Sequence, residues 1–182
     1  MRQRREYPNP NLPSKVELVL TSSWRDRLPW SKWRRLRRRD DHDEQRARSG
    51  PFPVYGVANW NGTAYLAGFG FKAGEELRSV TLAHGSGDDP IQVTVETTAD
   101  EHPTHVELDA DDGLGPIGTV WISVENQQHE FTRYTRDSQS DWAASGRVGE
   151  LNIGIEATGI SPEQLRLVVS DPRLYPSARS AP

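Results

Sequence analysis

Apolar and polar residues alternate along most of the chain from residue 53 to residue 170. In the stretch 91–98, Ile91, Val93 and Val95 are separated by polar residues, and side chains two positions apart lie on the same face of a β-strand. The same alternation recurs at 105–110, 119–125, 150–157 and 165–170, and in a looser form at 63–71, 77–82, 130–136 and 142–148. The pattern predicts strands with one buried face.

Turn-forming residues lie between these stretches. Asn61-Gly62 is typical of a type I′ hairpin, and further turns are predicted at 84–90, 111–116, 126–128 and 137–140. Ser161-Pro162 predicts one helical turn with serine as its cap. One buried face per strand and closely spaced turns are typical of antiparallel sheets. We therefore expect an all-β domain, an antiparallel β-sandwich or distorted barrel of about 8–10 strands.

The N-terminal part of the chain has a different organisation. Three prolines keep residues 1–14 extended, and alternation at residues 15–21 predicts a first strand. Residues 22–52 then become a long basic insertion rich in Trp and Arg between two strands, ahead of the β domain at 53–170. Insertions of that length are usually functional or disordered. The proline-containing residues 171–182 are expected to form a flexible tail.

Charge is distributed unevenly along the chain. Residues 1–50 hold 14 of the 22 Lys and Arg but only 7 of the 26 Asp and Glu, so the remainder is strongly acidic. The absence of cysteine excludes disulfides and thiolate chemistry. No apolar run approaches the roughly 18 residues of a membrane span. We expect a soluble, cytoplasmic protein without a cofactor.

The basic insertion is the first candidate binding site. If residues from Pro29 onward are helical, Trp30, Trp33 and Leu36 lie on one side and most of the basic residues cover the other. The residues assigned to partner binding are Trp30, Trp33, Arg34, Arg35, Leu36, Arg38 and Arg39. The partner would be another protein or a second copy, or alternatively nucleic acid or another anionic surface. The acidic run 40–44 also allows the insertion to dock on its own chain.

Two smaller constellations carry alternative chemistry. His102, His105 and Glu107 could ligate a metal ion, because imidazole and carboxylate are competent ligands, although the predicted strand places His105 and Glu107 on a face expected to be polar in any case. Trp121 and Tyr134 fall out of phase with the core positions on two successive strands. They are predicted to form a cross-strand pair, which is either a platform for a sugar or peptide or part of a covered layer.

The pattern as a whole favours a non-catalytic protein-interaction or structural module, for example a component of a larger assembly. Two alternatives stay open. One is a metal-dependent enzyme on a β scaffold, which would use the His/Glu cluster. The other is a binder of nucleic acid or an anionic surface through the basic insertion.

Overall fold

The computed structural model describes residues 41–72, 76–86, 89–101, 103, 115–134 and 141–178. Residues 41–48 form a helix, α1, and short 3-10 turns lie at Pro162–Gln164 and Pro172–Leu174. The strands of the described part are β1 Val54–Val57, β2 Ala64–Phe71, β3 Leu77–His84, β4 Gln92–Thr98, β5 Pro116–Val124, β6 Gln127–Tyr134, β7 Asp141–Val148, β8 Leu151–Thr158 and β9 Arg166–Ser170. The all-β prediction is confirmed.

The strands form one sheet in the order β1-β9-β5-β6-β7-β8-β4-β3-β2. Strands β1 and β2 occupy opposite edges, although only six residues connect Val57 to Ala64. Such a connection spans at most about 25 Å, whereas the edges of a flat nine-stranded sheet would lie about 38 Å apart. The sheet must therefore curl, and it forms a half-barrel. The structure does not show the two-layer sandwich that was one of the two expected architectures.

Side chains close the curled sheet along the outer edge of β1. The Tyr55 N–H donates to Thr97 Oγ1 of β4 at 3.0 Å, and the Val57 N–H donates to His84 Nε2 of β3 at 3.1 Å. These two acceptors replace the strand that β1 lacks on this side. They matter because an unpaired, buried backbone donor costs as much as a lost hydrogen bond.

The core lies on the inner face of the half-barrel, where the alternating apolar residues meet. The residues with at most 1% of their surface exposed include Val93, Val95, Ile122, Val124, Ile153, Ile155, Leu165 and Leu167. All of them occupy positions that the alternation assigns to the buried face. Their β-branched and leucine side chains fill the concave side of the sheet, as strands with one buried face require.

The turns confirm the prediction in part. Glu125 and Asn126, with φ of 49° and 65°, form the two-residue turn between β5 and β6, one residue earlier than predicted. The helical turn after Ser161 is confirmed, and the Gln164 side chain accepts the Ser161 N–H. The hairpin predicted at Asn61-Gly62 is wrong, because β1 pairs with β9 and β2 pairs with β3.

Residues 171–178 of the predicted flexible tail at 171–182 are described by the structure and make defined contacts. Residues 171–178, the C-terminal segment, lie beside β2, where Leu66 bonds the backbone of Pro176 and Ala178 at 2.8 and 3.1 Å. Arg48 of α1 donates to two carbonyl oxygens of the segment, each at 2.6 Å, and pairs with Glu44. The predicted extended residues 1–14, the strands predicted at 15–21 and 105–110, and residues 22–40 of the basic insertion lie outside the described residues, while residues 41–48 of that insertion form α1.

Candidate protein-interaction surface

Strand β5 is paired unequally on its two sides. It pairs with β6 along almost its whole length, but on the other side it pairs with β9 only through Ser123 and Val124. Within the described part of the chain, no strand pairs with residues 116–122 on that side. We call this stretch the open edge of β5. Backbone N–H and C=O groups along such an edge are available to another strand.

Most residues of the open edge are exposed to solvent. Residues 116–119 are exposed, and Ile117 and Trp121 expose 57% and 58% of their surface. Further along the same strand, Ile122 and Val124 are completely buried or nearly so. The 3-10 turn at Pro162–Gln164 contacts β5, but it leaves these large apolar side chains uncovered.

A β-bulge marks the start of the open edge. The register with β6 shifts between Pro116 and Gly118, so that Ile117 is the extra residue, and Gly118 has a φ of 154°. Glycine adopts this backbone conformation without the clash that a Cβ would cause. Bulges bend and twist the strand that contains them, although this end of β5 stays paired with β6 through Pro116 and Gly118.

The open edge has no charged side chain to keep other strands away. Residues 115–124 contain no Asp, Glu, Lys, Arg or His. Natural sheet proteins usually place charges, particularly lysine, on exposed edges, because an unprotected edge recruits other strands. The protective features of this edge, Pro116 and the bulge at Ile117, lie at the start of the strand. An exposed, apolar and uncharged edge is the arrangement expected where a partner binds.

Trp121 and Tyr134 are both described, but they do not form the predicted cross-strand pair. Trp121 lies opposite Glu130, and Tyr134 lies opposite Pro116 at the far end of the ladder. The tight turn at Glu125 and Asn126 sets this register. The Tyr134 hydroxyl instead lies 3.1 Å from Ser145 Oγ of β7. Trp121 therefore lies on the open edge of β5, and the residue opposite it on β6 is not aromatic.

The other predicted site residues lie outside the described residues. They are Trp30, Trp33, Arg34, Arg35, Leu36, Arg38 and Arg39 of the basic insertion, and His102, His105 and Glu107 of the possible metal site. In the part of the chain that the structure describes, no group of three or more His, Asp or Glu side chains is arranged to hold a metal ion. No helix in that part is both long and apolar enough to cross a membrane.

Sequence reasoning missed His84, which lies at the closure of the half-barrel. Its side chain is 1% exposed and packs edge-on against Trp60 and Tyr175 at centroid distances of 5.6 and 5.8 Å. Burial lowers its pKa to about 4, and the Val93 carbonyl opposes this shift to a smaller extent. The sequence did contain a signal for its burial, because His84 follows the buried Val80 and Leu82 at intervals of two residues and so lies on the same face of the strand.

The neutral imidazole of His84 is a structural acceptor. Because Nε2 accepts the Val57 N–H, the ring proton lies on Nδ1. Nδ1 makes no well-formed hydrogen bond with any described group. With Nε2 occupied and the ring inaccessible to solvent, His84 cannot reach a substrate, and its role is to hold β1 in place.

A second surface feature is an open groove of about 470 Å³ between α1 and the start of β3. Its most prominent cation, Arg46, lies 4.7 Å from the Phe71 ring centroid and also pairs with Asp43 at 3.8 Å. The Arg46 guanidinium is thus already in contact with groups of the protein itself. It presents no set of convergent polar groups of the kind that define a small-molecule site.

Comparison of this chain with models of known families, with curated proteins and with solved structures finds no match. Function must therefore be argued from the geometry itself. Of the surfaces in the described residues, the open edge of β5 combines unpaired backbone, exposed apolar side chains and absence of charge.

Proposed function

We propose that the protein is a non-catalytic interaction module that binds an extended segment of another protein chain along the open edge of β5. The observation that carries the proposal is the run of residues 116–122, which is uncharged and which no described strand pairs on one side. Residues 116–119 and Trp121 of this run are exposed. A segment added here would extend the sheet by one strand.

The energetics of strand addition suit this edge. Main-chain hydrogen bonds to the open edge would supply affinity, and alternate side chains would supply specificity. Trp121 is the natural anchor, since tryptophan is enriched among residues that dominate binding energy. Strand β5 is already held by β6 on its other side, so the receiving edge is ordered in advance and binding avoids that entropic cost.

The proposal can be tested with a phage library of random heptapeptides selected on the immobilised full-length chain. Peptides that bind should lose at least about tenfold in affinity for Trp121→Lys, because the charge removes the apolar anchor. The matched control is Leu174→Lys, which introduces the same charge at an apolar residue that is 80% exposed in the C-terminal segment. This control should bind like the wild type.

Hydrogen exchange then locates the bound peptide. Protection of the amides in residues 116–122 would support strand addition. Failure to select any binding peptide would refute the proposal, as would equal binding to the wild type and Trp121→Lys or protection confined to other strands.

A further inference from the structure

The open edge of β5 is complementary to a second copy of itself. When two identical strands pair antiparallel about a twofold axis, each residue lies opposite the residue at the same distance on the other side of the axis. If the axis passes at Thr119, then Thr119 faces Thr119 of the second copy. In the same register, Ile117 of each copy lies opposite Trp121 of the other, so the exposed apolar residues of the edge cover each other.

Charge also favours this contact over others between the acidic β domains of two copies. The chain carries a formal net charge of −4, and its acidic residues are concentrated after residue 50, so two copies repel each other over much of this part. The uncharged stretch 115–124 is a place where they can approach closely without like charges meeting. Glu130, opposite Trp121, belongs to β6 on the far side of β5, one strand spacing away from the contact.

We propose that two copies of this chain pair through their open edges, antiparallel about a twofold axis at Thr119, to form one continuous sheet across the dimer. This inference rests on the proposed function, since it uses the same edge, and it names a second copy as the occupant. The contact involves about seven residues from each chain, so the area it buries is smaller than the roughly 800 Å² per partner of a standard interface. We therefore expect a dissociation constant on the order of micromolar.

Position 119 permits a charge-exchange test, because only the proposed register places it opposite itself. Thr119→Lys and Thr119→Glu each put two like charges face to face, and each should weaken dimerisation at least about tenfold. An equimolar mixture of the two variants puts lysine opposite glutamate, and dimers should return to the wild-type level or above. The measurement is sedimentation equilibrium of the full chain over a concentration range that spans the micromolar region.

The matched control is the pair Thr132→Lys and Thr132→Glu. Thr132 lies opposite Thr119 on β6, so in the dimer its two copies are about three strand spacings, or 14 Å, apart. These variants should dimerise nearly as well as the wild type. Because Thr119 is exposed, its variants should fold, which circular dichroism and thermal unfolding check independently.

The outcomes separate this inference from the proposed function. A wild type that stays monomeric, a dimer that the Thr119 variants do not weaken, or loss without rescue on mixing would each overturn the self-pairing. Selected peptides that still protect residues 116–122 would in that case leave the proposed function standing. Rescue on mixing, by contrast, supports pairing at Thr119 whether or not foreign peptides bind.

Discussion

His84 should make the stability of the fold depend on pH, because the folded protein holds its imidazole neutral and buried. The pKa falls from an ordinary value of 6.5 to about 4, so the unfolded chain binds a proton that the folded chain does not. Stability from this group is complete above pH 6.5 and is lost as pH falls toward 4. At about 1.4 kcal/mol for each pKa unit, the whole loss is roughly 3 kcal/mol, of which about 2 kcal/mol has occurred by pH 5.

The perturbation that isolates this effect is His84→Gln. A glutamine amide oxygen can still accept the Val57 N–H, but it does not titrate. The free energy of unfolding, measured by urea denaturation at pH 7 and pH 5, should fall about 2 kcal/mol more in the wild type than in the variant. The chain contains six tryptophans, so their fluorescence can report unfolding.

A second histidine provides the control. His42, whose side chain is 68% exposed, can be changed to glutamine in the same way to show whether the loss of any histidine has this effect. Equal pH dependence in the wild type and His84→Gln would refute the argument that burial holds the imidazole neutral. If His84→Gln is less stable than the wild type at both pH values, the argument is not refuted, because only the difference in stability between pH 7 and pH 5 reports titration.

Three further substitutions, one of them with a matched glycine control, test the closure and packing of the half-barrel. Gly159→Ala should lower the free energy of unfolding by at least about 2 kcal/mol in urea denaturation, because at a φ of 74° the new Cβ would collide with the Pro90 carbonyl. Gly149→Ala is the control: its φ is 62° but the space around it is open, so it should lower the free energy of unfolding by less. Thr97→Val leaves a backbone N–H of β1 without its acceptor in a fully buried position, and calorimetry should show a loss of about 1–3 kcal/mol. Arg48→Met should speed amide exchange in the C-terminal segment about tenfold while leaving β8 unchanged; equal exchange in both proteins would show that the guanidinium does not hold the segment.

Part of the candidate surface was accessible from the sequence. The phase of Trp121 set it on the opposite face from Ile122 and Val124 but left open whether that face was exposed or covered, and the structure shows that Trp121 is exposed. The absence of charge in residues 115–124 is also visible directly in the sequence. That this stretch is an open edge was not accessible, because it depends on β9 pairing with only two residues of β5.

The apolar core positions of β4, β5, β8 and β9 followed from the sequence by itself, because the two-residue period of a strand is a local property of the backbone. Strands β2 to β9 therefore lie close to where alternation predicts them. Strand β1 was missed because Val54-Tyr-Gly-Val is too short to show a period.

Tertiary structure alone decided strand order, the curl of the sheet and the contact of His84 with β1. These features depend on pairings between residues far apart in the chain, and local alternation carries no information about which strand lies beside which. The short link between β1 and β2 brings opposite edges of the sheet together, and this closure places His84 against Val57. Among the described strands, β9 pairs with only two residues of β5, which leaves the rest of that side of β5 open.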